Sequence, residues 1–257
     1  MARLDIHQFI CRSDNYGVLL HDHKSGETAA VDAPDAAEID RQLTERGWHL
    51  THILTTHHHG DHVEGNEALK QRFGCQVIGP RAEAGKIPGL DHAVTGGDSF
   101  SWAGRKIRVL DCPGHTAGHI AYHLPEEEVL FAGDTLFSLG CGRVFEGTME
   151  EMYRSVSQFA TLPAATRFYC GHEYTQSNAR FALSVEPGNA ALAARAAEVD
   201  RLRAGGKMTS PSSLGEEMKT NPFLRTGSAE IRRNLGLAGA SDAEVFAELR
   251  RRKDSFR

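Results

Sequence analysis

The sequence predicts an α+β protein: a two-sheet sandwich with helices on its outside, followed from residue 173 by a small all-helical domain. Three observations carry this. Strand-like and helical runs are interleaved up to residue 172, with more β than a doubly wound α/β sheet would show. Four apolar runs in that portion stop abruptly at His or Asp. Beyond it the β pattern gives way to alanine-rich helical spacing, entered from Pro187-Gly188 and closed by Gly205-Gly206.

In chain order, residues 3–11 and 16–21 read as strands joined at Ser13-Asp14-Asn15, and Thr28 to Val31 as a third strand ending at Asp32 and Pro34. Ala36 to Arg46 is an amphipathic helix stopped by Gly47. His52 to Thr55 is a strand, His62 to Phe73 is helical, and Cys75 to Gly79 is a strand again. Strands follow at Ser99 to Trp102, Arg105 to Cys112, His119 to Leu124 and Val129 to Gly133. Glu150 to Leu162 is a helix and Arg167 to Cys170 a last strand. In the tail, Asn189 to Arg203 is helical, and Ser228 and Ser241 each precede a helical run, Ser241 forming a capping-box pattern with Glu244.

A chain of 257 residues with 40% hydrophobic and 25% charged content can fold without metals or disulfides, so a metal site here is expected to be functional. The net charge of −5 argues against nucleic acid as a partner. No apolar run is long enough to span a bilayer or to act as a signal peptide, so no membrane association is expected. Five widely separated cysteines, with no C-x-x-C pair, suit reduced thiols and a cytoplasmic location.

The chemistry is concentrated in Thr55-Thr56-His57-His58-His59-Gly60-Asp61-His62. Imidazoles crowded in this way repel when protonated, whereas a metal ion uses them as neutral ligands. Three further strand ends deliver His115, Asp134 and His172, each preceded by a glycine that allows a sharp turn. Together these residues exceed the needs of one catalytic zinc, which takes about three protein ligands. Two ions are satisfied if Asp134 bridges, with His57, His59 and His115 on one and Asp61, His62 and His172 on the other. His58 alternates away from its neighbours and is read as non-ligating, and His119 as a supporting residue. Asp61 with Glu64 could also cap the helix that follows.

The run Thr56 to His62, followed by a later His, a bridging Asp and a last His, resembles the metallo-β-lactamase superfamily signature. That resemblance implies the αββα metallo-β-lactamase sandwich and a dinuclear centre, of zinc or alternatively of iron or manganese. Over essentially the whole chain the sequence further resembles the glyoxalase II family, the hydroxyacylglutathione hydrolases. Matching segments include Pro113 to His119, Ala132 to Phe137, Gly140 to Thr148, Cys170 to Thr175, Pro211 to Glu217, Asn221 to Arg225 and Arg250 to Phe256. The last three lie in the helical tail and carry most of the assignment. The resemblance implies a catalytic domain over 1–172 and a glutathione-binding domain over 173–257. It implies that Arg143, Phe145, Tyr174, Arg250 and Lys253 hold glutathione. Some family members carry Lys and Tyr where Arg143 and Phe145 stand; Phe145 cannot donate a hydroxyl hydrogen bond.

The implied activity is hydrolysis of S-D-lactoylglutathione to D-lactate and glutathione, the second step of methylglyoxal detoxification. A metal-bridging hydroxide is the expected nucleophile, with Asp61 and Asp134 as the catalytic carboxylates. The expected partner is this small thioester alone, bound by a monomer. The competing readings are another thioesterase or a lactonase on the same scaffold, a mononuclear-iron sulfur dioxygenase, and a non-enzymatic metal- or glutathione-binding module. For Arg250 to Lys253 the bland alternative is a solvated basic helix end.

Overall fold

The computed structural model describes residues 3–256. They form two compact units. One runs to Asp111 and includes Ala117–Glu127; the other comprises Cys112–Thr116 and everything from Glu128 onward.

The first unit is built on a six-stranded mixed sheet. β1 (Leu4–Cys11), β2 (Asn15–Asp22) and β3 (Thr28–Val31) are antiparallel neighbours. β4 (His52–Leu54), β5 (Gln76–Pro80) and β6 (His92–Val94) then continue parallel to β3. The three parallel steps need crossovers, and helical segments supply them: α1 (Ala36–Arg46) between β3 and β4, α2 (Gly60–Val63) with α3 (Asn66–Phe73) between β4 and β5, and a 3-10 turn over Arg81–Lys86 between β5 and β6. β7 (Ser99–Trp102), β8 (Arg105–Asp111) and β9 (Ile120–Leu124) form an antiparallel layer. This layer is tied to the first sheet by the buried Tyr122 hydroxyl, which lies 2.8 Å from the Thr55 carbonyl and 3.2 Å from that of Ile78. Helix-side residues Ile39, Leu43 and Leu69 pack with Leu19, Ile53 and Val77 of the sheet in one apolar core.

Helix α1 begins and ends where the sequence indicates: Asp35 accepts from the Ala37 and Glu38 N–H groups, and Gly47 closes it in the left-handed region. The helical run from His62 to Phe73 is instead broken between α2 and α3. A Cβ at Gly65 would lie 2.8 Å from the Ala33 carbonyl, and the Gly65 N–H donates to that same carbonyl at 2.9 Å. The chain therefore gives up helical continuity to pack against the loop after β3. Asp61 does not cap α2, whose N-cap is His59 with no side-chain bond.

In the second unit, β10 (Val129–Gly133) runs parallel to β13 (Arg167–Cys170), and β11 (Leu136–Phe137) and β12 (Gly140–Cys141) form a short hairpin. Helix α4 (Met149–Phe159) starts at a Thr148–Glu151 capping box and stops short of the expected Leu162. The tail supplies α5 (Thr175–Val185), α6 (Ala190–Ala204), α7 (Leu214–Thr220), α8 (Ala229–Leu235) and α9 (Asp242–Ser255). Ser228 and Ser241 cap their helices as read from the sequence. One feature of the tail is not helical: β14 (Ser212–Ser213) pairs antiparallel with β13, so Arg167–Cys170 is not the last strand. All five cysteines are buried and none is in a disulfide. No helix among the described residues is long and apolar enough to cross a membrane.

The first unit also encloses an ion pair. Arg105 lies 2.5 Å from Asp22 and 2.7 Å from Glu127, with Arg105 and Asp22 both nearly inaccessible. Burial alone would push Asp22 up. The Ser25 N–H and the Arg105 guanidinium outweigh it and hold the carboxyl down at about 2. The pair's contribution to stability is therefore present above the ordinary Asp range and lost as pH falls through about 2. Arg105→Met should cost about 3–5 kcal/mol in urea unfolding, because it strands a buried carboxylate; a loss within error of zero would show that the pair is dispensable.

Candidate active site

The histidine loop leaves β4 at Thr55 and turns into α2. Its shape is set from the end of β3. Asp32 is buried and adopts φ 58°, a left-handed conformation that Asp tolerates better than most residues. From there Oδ1 accepts the Thr56 N–H at 2.7 Å, and Oδ2 accepts the Thr56 hydroxyl at 2.9 Å and His62 Nδ1–H at 2.9 Å. The Thr56 oxygen in turn takes His57 Nδ1–H at 3.0 Å. One carboxylate thus fixes the tautomer of two imidazoles and leaves both Nε2 lone pairs for a cation. His57 Nε2 faces His59 Nδ1 at 3.2 Å, and His62 Nε2 lies 3.7 Å from Asp61 Oδ2. Asn15 Nδ2 holds Asp61 through its Oδ2 and its carbonyl, each at 3.0 Å.

His58 points elsewhere, its Nδ1 lying 2.9 Å from buried Glu83. The two Glu83 oxygens also accept the His58 N–H at 2.8 Å and the Gly118 N–H at 2.9 Å. His119, fully buried, stacks on His57 with ring centroids 4.7 Å apart.

The second unit presents His115, Asp134 and His172. Gly114 and Gly133, just before the first two, have φ of 143° and 50°; Gly171, before His172, is not in the left-handed region. A Cβ at Gly114 would also meet Met152 at 2.7 Å, so this turn accepts no side chain. His115 Nδ1–H donates to the Arg143 carbonyl at 2.8 Å, which again leaves Nε2 for a ligand role. Asp134 Oδ2 lies 3.4 Å from both His115 Nε2 and His172 Nε2.

These spacings fit a metal. Ligands about 2.0–2.1 Å from a tetrahedral ion stand about 3.3 Å from one another, and the 3.2 and 3.4 Å separations match that edge. His57, His59, Asp61, His62, His115, Asp134 and His172 all belong to His and Asp groupings able to hold an ion among the described residues. The chain therefore carries a donor set for divalent metal.

The residues expected to take glutathione are treated unequally by the fold. Arg143, Phe145 and Tyr174 are exposed. Tyr174 stacks flat on His172 at 4.8 Å, and Phe145 meets His115 edge-on at 5.3 Å. Arg250 is 4% exposed, and its guanidinium donates to the Cys141 carbonyl at 2.7 Å and to Asp254 at 2.9 Å. Lys253 donates to the Ser177 hydroxyl at 3.1 Å. Burial, together with Arg250, Arg143 and Arg180, pushes its ammonium down to about 8, against the opposite pull of Asp254. Asp254 also faces Arg143 at 3.4 Å. Thr56 and Asp254 stand inside matched segments without a role of their own in the sequence reading, and Asp32, Glu83, Asn15 and Arg180 were given no functional role there. Only Asp32 carried a signal, as a carboxylate at a strand end.

The metallo-beta-lactamase superfamily profile matches residues 27–172, and the profile for the hydroxyacylglutathione hydrolase C-terminus matches residues 173–256. A hydroxyacylglutathione hydrolase of Rhizobium meliloti is 57% identical over 100% of both chains, and one of Brucella anthropi is 59% identical over 99% of this chain and 98% of its own. The chain belongs to the hydroxyacylglutathione hydrolase family. Its fold is that of the metallo-β-lactamases: the crystal structure of ETHE1 from Myxococcus xanthus superposes with a TM-score of 0.67 at 24% identity, covering 98% of this chain and 100% of that one. The family match spans the helical tail as well as the metal-binding portion, so it reaches Arg250 and Lys253 along with the histidines.

Asp32→Asn keeps a residue that tolerates the left-handed backbone but removes the shared acceptor. It should weaken metal retention by about 10–100-fold, read as metal per chain against a competing chelator. Retention equal to the unsubstituted protein would mean that Asp32 does not orient the ligands.

Proposed function

We propose that the protein hydrolyses S-D-lactoylglutathione, or a related 2-hydroxyacyl glutathione, to the free acid and glutathione, the second step of methylglyoxal detoxification. The observation that carries this reading is the tail. Relatives named for this activity are 57–59% identical across the whole chain, and the match includes the segment with Arg250, Lys253 and Asp254. Residues 1–172 would form the catalytic domain and 173–257 the substrate-binding domain. The enzyme would act as a cytoplasmic monomer.

In this reading two divalent ions bind per chain, zinc in the first instance, with iron or manganese compatible with the same N and O donors. His57, His59 and His115 would hold one, Asp61, His62 and His172 the other, and Asp134 both. Such ions, when bound, supply positive charge that makes water acidic and stabilises a developing oxyanion. Asp61, which Asn15 steadies, would orient the attacking water as well as ligate. The departing thiol has a pKa of about 8.5 and leaves as a thiolate without a strong general acid. Arg143 and Lys253 anchor the remote carboxylates of the tripeptide, with Tyr174 and Phe145 against its backbone. Arg250 contributes charge from a buried position and holds the Cys141 carbonyl. Binding energy collected far from the reacting carbonyl in this way positions the thioester.

The deciding experiment is a steady-state assay on S-D-lactoylglutathione with metal analysis of the same sample. Preference for a plain acyl-coenzyme A thioester, or oxygen consumption with glutathione persulfide, would replace this reading. Asp134→Ala should lose both metal and turnover, and retained turnover would remove Asp134 from the centre. Lys253→Ala should raise KM by about tenfold with little change in kcat. Because the Lys253 ammonium titrates at about 8, KM should climb as pH passes that value; in Lys253→Arg the climb should vanish, and a climb of the same size there would exclude Lys253 as its source.

A further inference from the structure

The segments Pro211 to Glu217 and Asn221 to Arg225 stand out in the sequence, yet none of their side chains enters the chemistry above. Glu217 and Asn221 are both fully buried. Glu217 accepts four donors: the Ser138 and Ser212 hydroxyls at 2.8 Å each, the Leu139 N–H at 2.7 Å and Asn221 Nδ2 at 3.0 Å. Asn221 Nδ2 also donates to the carbonyls of Phe137 at 3.1 Å and Gly140 at 2.9 Å. Asn178 takes the Ser138 carbonyl at 3.1 Å, and Arg250 takes that of Cys141 at 2.7 Å.

Apart from the Ser212 and Asn221 bonds to Glu217 itself, these bonds converge on one element, the β11–β12 hairpin and its Ser138-Leu139 turn. The turn is strained. Leu139 has φ 59°, which a branched apolar residue seldom adopts, and it persists where the surroundings over-determine it. Glu217 grips its N–H, and its side chain is buried in a cluster with Ala179, Ala182, Leu192, Ala196 and Val199. The hairpin leads directly into Gly142 and Arg143. There is no slack at that junction, since a Cβ at Gly142 would lie 1.9 Å from the Asp134 carbonyl oxygen.

The tail is also held by other contacts. β14 pairs with β13, and the Leu214 and Gly215 N–H groups donate at 2.9 Å each to the Thr166 and Ala164 carbonyls. The Glu217–Asn221 bonds are therefore additional, and they are spent on the turn. We propose that Glu217 and Asn221 are positioning residues for the glutathione thioester: they clamp the hairpin and so set where Arg143 and Phe145 meet its glutathione part. The inference rests on the hydrolase reading and adds a role for the tail that involves no contact with substrate.

The test is Glu217→Met, which keeps the length of the side chain but removes both acceptor oxygens and so releases the Leu139 N–H. In the metal-loaded full-length enzyme, KM for S-D-lactoylglutathione should rise about tenfold while kcat stays within about twofold. Metal content should equal that of the unsubstituted enzyme. In an Arg143→Ala background the same substitution should raise KM clearly less than it does alone, because one of the two residues being positioned is gone. Should Glu217→Met not fold, Ser138→Ala removes a single donor and should raise KM about threefold. An unchanged KM in the folded variants, or a rise that adds in full to that of Arg143→Ala, overturns the positioning role. An unsubstituted enzyme inactive on glutathione thioesters overturns the hydrolase reading itself and this inference with it.

Discussion

The metal-facing histidine loop depends on one buried carboxylate. Neutral imidazole binds a cation only if the correct nitrogen is deprotonated and aimed, and a free histidine meets neither condition reliably. Asp32 settles both for His57 and His62, directly in one case and through the Thr56 hydroxyl in the other. It can do so because β3 and β4 are parallel neighbours, so the residue leaving one strand stands beside the loop leaving the other. Its left-handed backbone turns the side chain across that gap, and the Asp32 N–H stays bonded to the Leu54 carbonyl at 3.0 Å. Strand register, one unusual φ and one carboxylate are thus a single device.

The sequence revealed the donors because histidines crowded at a strand end have few other uses. Helix ends such as Gly47, Ser228 and Ser241 were legible because capping is local chemistry. What stayed hidden depends on neighbours distant in the chain. The break at Gly65 exists only because the Ala33 carbonyl lies against it. The two-residue strand β14 is too short to show a period. The basic run from Arg250 to Lys253 reads as one surface feature, yet Arg250 is buried against Cys141 while Arg251 and Arg252 remain exposed. Charge marks a helix face without saying which charges turn inward.

That division gives the tail two kinds of work. Its Lys253 and Arg180 gather positive charge beside Arg143 on an otherwise acidic chain, and its Asp254 spaces the guanidiniums of Arg143 and Arg250. The inner residues Arg250, Glu217 and Asn221 act on main-chain groups of the neighbouring hairpin. Charge selects an anionic ligand broadly, whereas a fixed backbone decides which anions can be bridged at once.

The five buried cysteines have a consequence for a protein that handles thioesters. A thiolate exchanges acyl groups with a thioester, so an accessible cysteine would be acylated by the substrate it is meant to see hydrolysed. Burial pushes Cys11 and Cys170 up to about 12 and Cys75 and Cys141 to about 11, so these four stay protonated at neutral pH. Cys141 is the instructive one: it adjoins the loop that carries Arg143, and burial outweighs the opposing pull of Arg250. Packing in this protein therefore also serves as chemical self-protection, keeping its own sulfur out of the reaction it is proposed to perform.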